Sequence, residues 1–171
     1  PGQCEKITEE GLYTCLIRNP HWQPERLTHG RADICFLRDA SETEGKIRRT
    51  PMTKEEVREV SICKLNLTHN AVVYDIGSGT GSVAIEIAGV PGGVQVYAIE
   101  RKPEAVELLR KNRAHFHMDN IQIIEATAPE GLEELPVPTH AFICGSGGRL
   151  LDILQPLYRK IPHMSIVMNC I

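Results

Sequence analysis

The stretch with the clearest chemical content is Asp75-Ile76-Gly77-Ser78-Gly79-Thr80-Gly81. Three alternating glycines strip side chains from a turn, so a ligand can come close to the backbone. A dinucleotide fingerprint reads G-x-G-x-x-G and opens a helix whose N-terminus takes a pyrophosphate. Here the third glycine arrives one residue early, and Ser82 stands in the expected place. Asp75, two residues before the first glycine, would repel a pyrophosphate and attract a cation. Glu100 stands 23 residues after Gly77. An acid ending a second strand at that distance is placed to accept hydrogen bonds from ribose hydroxyls.

A ligand that joins a nucleoside to a cationic amino-acid tail fits these residues better than a nicotinamide dinucleotide does. S-adenosylmethionine, with a sulfonium and an ammonium group, is such a ligand. Two more loops belong to the same edge. Glu125-Ala126-Thr127-Ala128-Pro129 follows a third apolar run, and its backbone amides are placed for an adenine edge. Gly145-Ser146-Gly147-Gly148 follows a fourth, where a methyl group and its acceptor would meet. A tight strand-to-helix turn is the alternative for those small residues, but a side-chain-poor backbone beside the methyl donor favours substrate approach.

The elements that position these loops read plainly from residue 51 onward. Residues 71–76 are a nearly all-apolar, β-branched run, as expected for a strand covered on both faces. The pattern repeats with strands at 94–99, 121–124, 141–144 and 165–171. Helices fall at 82–88, 103–116 with proline in its first turn, and 149–160. In the last of these, Leu150, Leu151, Leu154 and Leu157 share a face. Before the first strand, Thr53-Lys54-Glu55-Glu56 has the form of a capping box, and Val57, Val60 and Leu65 give a helical stripe behind it. Strand and helix alternating over short links predict an α/β, doubly wound, mostly parallel sheet of Rossmann-like class. In such sheets ligands bind beyond the carboxyl ends of the strands, at the switch point. The chain stops inside the fifth strand, so the sheet is expected to be incomplete.

Residues 1–50 are less regular. Leu12-Tyr13-Thr14-Cys15-Leu16-Ile17 is a candidate strand, and Ile34-Cys35-Phe36-Leu37 is a second apolar run. Residues 39–50 read as a polar linker ending in Lys46, Arg48 and Arg49. The expected organisation is an N-terminal segment over 1–50 and one domain over 51–171.

The 171 residues carry 19 Lys and Arg against 22 Asp and Glu, a net charge of −3, and 42% are apolar. That balance excludes a disordered chain and a strongly basic nucleic-acid binder. No apolar run reaches the ~18 residues needed to span a bilayer, and the N-terminus has no signal-peptide pattern. Cys4, Cys15, Cys35, Cys63, Cys144 and Cys170 are never paired at zinc-ligand spacing. They read as reduced, mostly buried thiols, and no metal site is expected. His115 and His117, two apart, cannot chelate as an i,i+4 pair would. A soluble cytoplasmic protein is the expectation.

Taken together, several segments resemble one family. Pro51-Met52-Thr53-Lys54-Glu55-Glu56-Val57-Arg58, residues 75–81, Val96-Tyr97-Ala98-Ile99-Glu100-Arg101-Lys102-Pro103-Glu104-Ala105 and Gly145-Ser146-Gly147-Gly148 are similar to the precorrin methyltransferases of cobalamin biosynthesis. The likeness is greatest to the decarboxylating enzymes that act at ring position 15. It covers residues 51–171, and only the glycine loop is common to class I methyltransferases in general. The resemblance implies S-adenosylmethionine as cofactor, a precorrin or cobalt-precorrin substrate, and a homo-oligomer, often a tetramer. It implies a cofactor site made by Thr53, Asp75, Gly77, Ser78, Gly79, Thr80, Gly81, Glu100 and Ala128. Gly145, Ser146, Gly147 and Gly148 would face the substrate. Thr53 then has two readings, helix cap and cofactor contact. Where the family commonly has Glu-Gly-Asp-Ala-Pro-Glu, this chain has Glu125-Ala126-Thr127-Ala128-Pro129-Glu130, without the aspartate. Leu16-Ile17-Arg18-Asn19-Pro20 and Arg26-Leu27-Thr28-His29-Gly30 resemble the end of the ring-position-5 methyltransferase that precedes this domain in fused relatives.

An electron-rich tetrapyrrole brings its own nucleophilic carbon, so the implied chemistry demands positioning and no dedicated catalytic residue. Lys46, Arg48, Arg49, Lys54 and Arg58 are either a solvated basic stretch or a patch that steers substrate carboxylates. Other readings stay open at this stage. They are a class I methyltransferase for RNA or protein, a non-catalytic cofactor-binding fragment, and a nicotinamide-dependent oxidoreductase, the last disfavoured by the early third glycine.

Overall fold

The structure is a computed structural model that describes residues 28–38, 40–43 and 46–169. The sequence-predicted strand at 12–17, Cys4, Cys15, Cys170 and most of the N-terminal resemblance lie outside them. In chain order the elements are a 3-10 turn (Asp33–Cys35), β1 (Ala40–Thr43), β2 (Lys46–Arg49), α1 (Glu55–Leu65), β3 (Val72–Ile76), α2 (Ser82–Ala88), β4 (Gln95–Glu100), α3 (Pro103–His115), β5 (Ile121–Glu125), β6 (His140–Ile143), α4 (Leu150–Lys160) and β7 (Ser165–Met168).

The apolar, β-branched runs pair as expected. A five-stranded sheet has the order β5-β4-β3-β6-β7, and every neighbouring pair is parallel. Chain order reverses between β3 and β6, so the crevice of the switch point opens at their carboxyl ends. The period-2 alternation of a strand then sorts side chains to two layers. Val73, Val96, Ala98, Ile121 and Phe142 face a core with Ile62 and Leu65 of α1, the apolar side of α2 and Leu109 of α3. Tyr74, Ile76, Ile99, Ala141 and Ile143 face the other core, with Leu132 and with Ile153 and Leu157 of α4.

Five local expectations need correction. Residues 40–43 and 46–49, expected as linker, pair instead as the antiparallel strands β1 and β2, with Ala40 opposite Arg49. The capping box does not form: Lys54 is the N-cap of α1, and no side chain bonds to the helix end. The α1 stripe is also displaced. Val57 and Val60 are 45% and 60% exposed, while Arg58, Ser61, Ile62 and Leu65 point inward. Leu151 likewise faces solvent, and Ile153 takes its expected place in the core. Finally, Cys35 and Cys63 are exposed free thiols, and Cys144 is half-buried.

Residues 30–38 pack onto the sheet-covering helices through polar groups no local pattern announces. Glu86, a fully buried acid in the mostly apolar α2, accepts from the backbone amides of Gly30 and Arg31 and from the Arg31 guanidinium. Asn112 of α3 holds both backbone groups of Leu37 and, through Nδ2, the carbonyl of Thr80 at 2.9 Å. Buried polar groups matched in this way fix one arrangement, since leaving any of them unpaired costs ~1–3 kcal/mol. Asn112 thereby clamps the end of the glycine loop to α3.

Candidate functional site

Four loops at the carboxyl edge, after β3, β4, β5 and β6, together with residues 50–54, enclose a cleft of about 830 Å³. Thr53, Gly77, Ser78, Gly79, Glu100, Ala128, Gly145, Ser146 and Gly147 line it. Nine of the sequence-predicted residues are thus brought to one cavity. Asp75, Thr80, Gly81 and Gly148 are outside the lining.

The glycine loop is bent by what surrounds it. Gly77, Gly79 and Gly81 have φ of 78°, 56° and 78°, in the left-handed region that L side chains rarely adopt. Gly77 also lies against the loop after β6: a Cβ there would stand 2.6 Å from the Gly145 amide nitrogen. Gly77→Ala is therefore expected to cost about 1–2 kcal/mol for the backbone conformation alone, with a further cost from moving the Gly145 loop. Urea unfolding reads this loss, and an unchanged midpoint would disprove the close approach. Gly81 serves packing, since its missing Cβ makes room for Leu109 of α3.

Glu100 is nearly buried, at 8% exposure. Its Oε2 accepts from the Gly79 amide at 2.9 Å, and its Oε1 accepts from the amides of Arg101 and Lys102 at 2.9 and 3.0 Å. The acid at the end of β4 therefore holds the glycine loop and the α3 entrance in register, and only Oε2 keeps a spare acceptor site, since Oε1 already accepts two amides.

Asp75 corrects a sequence expectation. It is 0% exposed and lies beneath the loop, so it touches nothing in the cleft directly. Its Oδ2 accepts from Ser78 Oγ at 2.5 Å, while Oδ1 has no hydrogen-bond partner. Burial pushes its carboxyl up to about 7, reinforced by the charge of Glu100 and opposed by the Ser78 hydroxyl and the Ala84 amide. Thr80 is buried as well, its hydroxyl without a partner.

Thr53 lines the cleft, and of its two readings the helix cap is not realised. Its hydroxyl lies 3.6 Å from Cys144 Sγ, at the end of β6, and makes no helix cap. Burial pushes the Cys144 thiol up, against the lowering effect of the Thr53 hydrogen bond. The Thr53 carbonyl is held at 2.5 Å by Arg58 Nη1. Arg58, at 1% exposure, also pairs with Asp33 at 2.7 Å, binds the Arg31 carbonyl and lies over the Phe36 ring at 4.7 Å. It cannot steer substrate, contrary to the sequence expectation. Partial burial pushes the Asp33 carboxyl up, but Arg58 and Lys54 outweigh it and hold it below its ordinary value. The side chains of Lys46, Arg48 and Arg49 fall outside the described ones.

Sequence reasoning had singled out Lys54 and missed Arg101, Lys102 and Arg149. Together the four bring cations to the cleft, and Glu100 is its one acid among the described residues. Their common signal was position, since each directly follows or precedes a loop of the carboxyl edge. Val57 and Met168 add apolar wall.

A parallel sheet with this strand order, a glycine turn after its central strand and an acid ending the next define the Rossmann-like fold of class I methyltransferases. Residues 47–171 match the family model described as "Precorrin methyltransferase domain", and the chain belongs to that family. A probable cobalt-precorrin-6B C(15)-methyltransferase (decarboxylating) of Sulfolobus acidocaldarius is 43% identical over 116 residues, covering 66% of this chain and 59% of the relative. The chain thus spans about 60% of the length of the curated relatives it matches. The crystal structure of a precorrin-6Y C5,15-methyltransferase from Geobacter metallireducens superposes with a TM-score of 0.74 at 34% identity. It covers 86% of this chain and 74% of that one. The precorrin 8W decarboxylase of Methanobacterium thermoautotrophicum gives 0.71 at 33% identity, covering 82% and 72%.

Proposed function

We propose that this chain is an S-adenosylmethionine-dependent C-methyltransferase of cobalamin biosynthesis that methylates and decarboxylates a precorrin or cobalt-precorrin tetrapyrrole. The observation that carries the reading is a single cleft combining a glycine cradle and Glu100 with a rim of four cations, in a chain whose net charge is −3. Such local reversal of sign attracts a substrate bearing many carboxylates.

The residues fit the cofactor. Gly77 and Gly79 leave backbone where any Cβ would crowd Gly145 or the Pro51 carbonyl, and a cleft of about 830 Å³ lies within the usual range for cofactor sites. Glu100 would hold the ribose hydroxyls, the 77–79 backbone the amino-acid tail, the Ala128 backbone the adenine edge, and Thr53 the opposite wall. Asp75, Thr80 and Gly81 shape the loop from behind. When bound, the cofactor supplies an electrophilic methyl group on a sulfonium. The chain would hold the acceptor carbon close to that methyl group, with Ile76, Ile99 and Met168 as apolar wall of the cleft. Loss of carbon dioxide would use the conjugated macrocycle as its electron sink, and the carbon that loses it would then take up one proton from solvent. Gly145, Ser146 and Gly147 would face the substrate, with Gly148 behind them. Among the described residues no helix is long and apolar enough to cross a membrane. A cytoplasmic homo-oligomer, a tetramer by family resemblance, completes the reading.

Calorimetry with S-adenosylhomocysteine, with NADH as control, tests the cofactor class. Binding of S-adenosylhomocysteine alone is expected, and binding of NADH alone would refute the reading. Glu100→Ala should weaken S-adenosylhomocysteine by about 1.5–3 kcal/mol, the range for hydrogen bonds to a charged group. An unchanged affinity would remove Glu100 from the site.

A further inference from the structure

Arg149 stands where the loop after β6 enters α4, and it lines the cleft. Its guanidinium lies flat against the carboxylate of Glu130, from the loop after β5. Nη1 donates to Oε2 at 2.9 Å and Nη2 to Oε1 at 2.8 Å. Its Nε donates to Asp152, in the first turn of α4, at 3.3 Å. Glu130 itself does not line the cleft. The pair is solvent-accessible, at 40% and 61% of side-chain area, and exposed ion pairs contribute little. Both Nη groups are therefore arranged for a bidentate carboxylate, held by one that is cheaply displaced. Across the same mouth, the Arg101 guanidinium approaches the loop at Gly147, within 3.7 Å of where a Cβ would stand.

We propose that Arg149 is a substrate-binding, specificity-determining residue that grips a peripheral carboxylate of the substrate, and that Glu130 is the internal carboxylate it exchanges for it. The proposal rests on the polycarboxylate tetrapyrrole reading above. Asp152 holds the Nε end, so when Glu130 is released the Nη groups remain at the mouth of the cleft that Arg149 lines. Glu130 is then a competitor of the substrate, which sets this role apart from a purely structural latch between two loops. Losing either partner of a latch acts in one direction. Losing Arg149 and losing its competitor act in opposite directions.

The test uses the full-length protein and uroporphyrin, a tetrapyrrole with carboxylates around its whole rim, titrated by the shift of its absorption band. Calorimetry with S-adenosylhomocysteine runs in parallel. Arg149→Met should weaken porphyrin binding roughly tenfold, the loss expected for a charged hydrogen bond. Arg149→Lys, which keeps the charge and loses the fork, should fall between. Glu130→Gln should tighten porphyrin binding by about two- to fivefold. S-adenosylhomocysteine affinity should be the same in all forms. Weakened porphyrin binding in Glu130→Gln, or unmodified binding in both Arg149 variants, would overturn the proposal. Uptake of S-adenosylhomocysteine with no uptake of porphyrin by the unmodified protein would instead overturn the substrate class, and the assignment of Arg149 with it.

Discussion

Arg58→Met should destabilise the protein by about 3–5 kcal/mol, the cost of removing one partner from a buried ionic cluster. Methionine replaces most of the aliphatic volume, so the loss comes from polar partners. The carbonyls of Arg31 and Thr53 and the carboxylate of Asp33 all lose a donor, and the contact over the Phe36 ring goes with them. Asp33 keeps Lys54 at 3.0 Å and partial access to solvent, so Asp33→Asn should cost less than Arg58→Met. Urea unfolding with an unchanged slope measures both. A loss below about 1 kcal/mol for Arg58→Met would show that these contacts are not formed in solution. Because Arg58 holds the segment carrying Thr53, the variant should also weaken cofactor binding while leaving the Glu100 contacts in place.

The second large effect is a dependence on pH. The Asp75 carboxyl, raised by burial to about 7 from an ordinary 3.8, stays protonated in the folded protein where the unfolded chain has already ionised. Below pH 4 both states hold the proton and Asp75 contributes nothing to the difference. As pH rises from about 4 to 7, the unfolded state alone gives up its proton, so stability falls, and above 7 the loss is complete. A difference of three units corresponds to about 4 kcal/mol. Asp75→Asn, neutral throughout and able to accept from Ser78, removes this penalty. The variant should match the unmodified protein near pH 4 and exceed it by up to about 4 kcal/mol at pH 8. Thermal or urea melts across that range read the gap. A gap that does not change with pH would mean Asp75 titrates normally.

The pair also explains how far the residues of the chain could be read in isolation. Asp75 was recognised as belonging to the glycine loop, yet its expected role was to draw a cation. Its burial under Ser78 follows from the way α2 closes over β3, a packing fact with no local signature. Arg58 looked like an exposed member of a basic patch. It turned inward because Asp33 and two carbonyls, up to 27 positions away in sequence, converge on it. The same cluster took Thr53 out of its expected capping box, since its carbonyl faces Arg58 and its hydroxyl faces Cys144.

What the amino-acid sequence determined alone was the order of strands and helices from residue 51, the glycine loop and the acid 23 residues beyond it. Strands covered on both faces are continuous apolar runs, and helices next to them repeat with a period of 3.6, so both signals are local and survive without a partner. What only the tertiary structure decided was the pairing of residues 40–43 with 46–49, the inward turn of Arg58, Glu86 and Asn112, and the cation rim with Arg149 set against Glu130. Each depends on groups distant in the chain meeting in space. A polar residue carries no mark of whether it will face water or a buried partner until the fold supplies one.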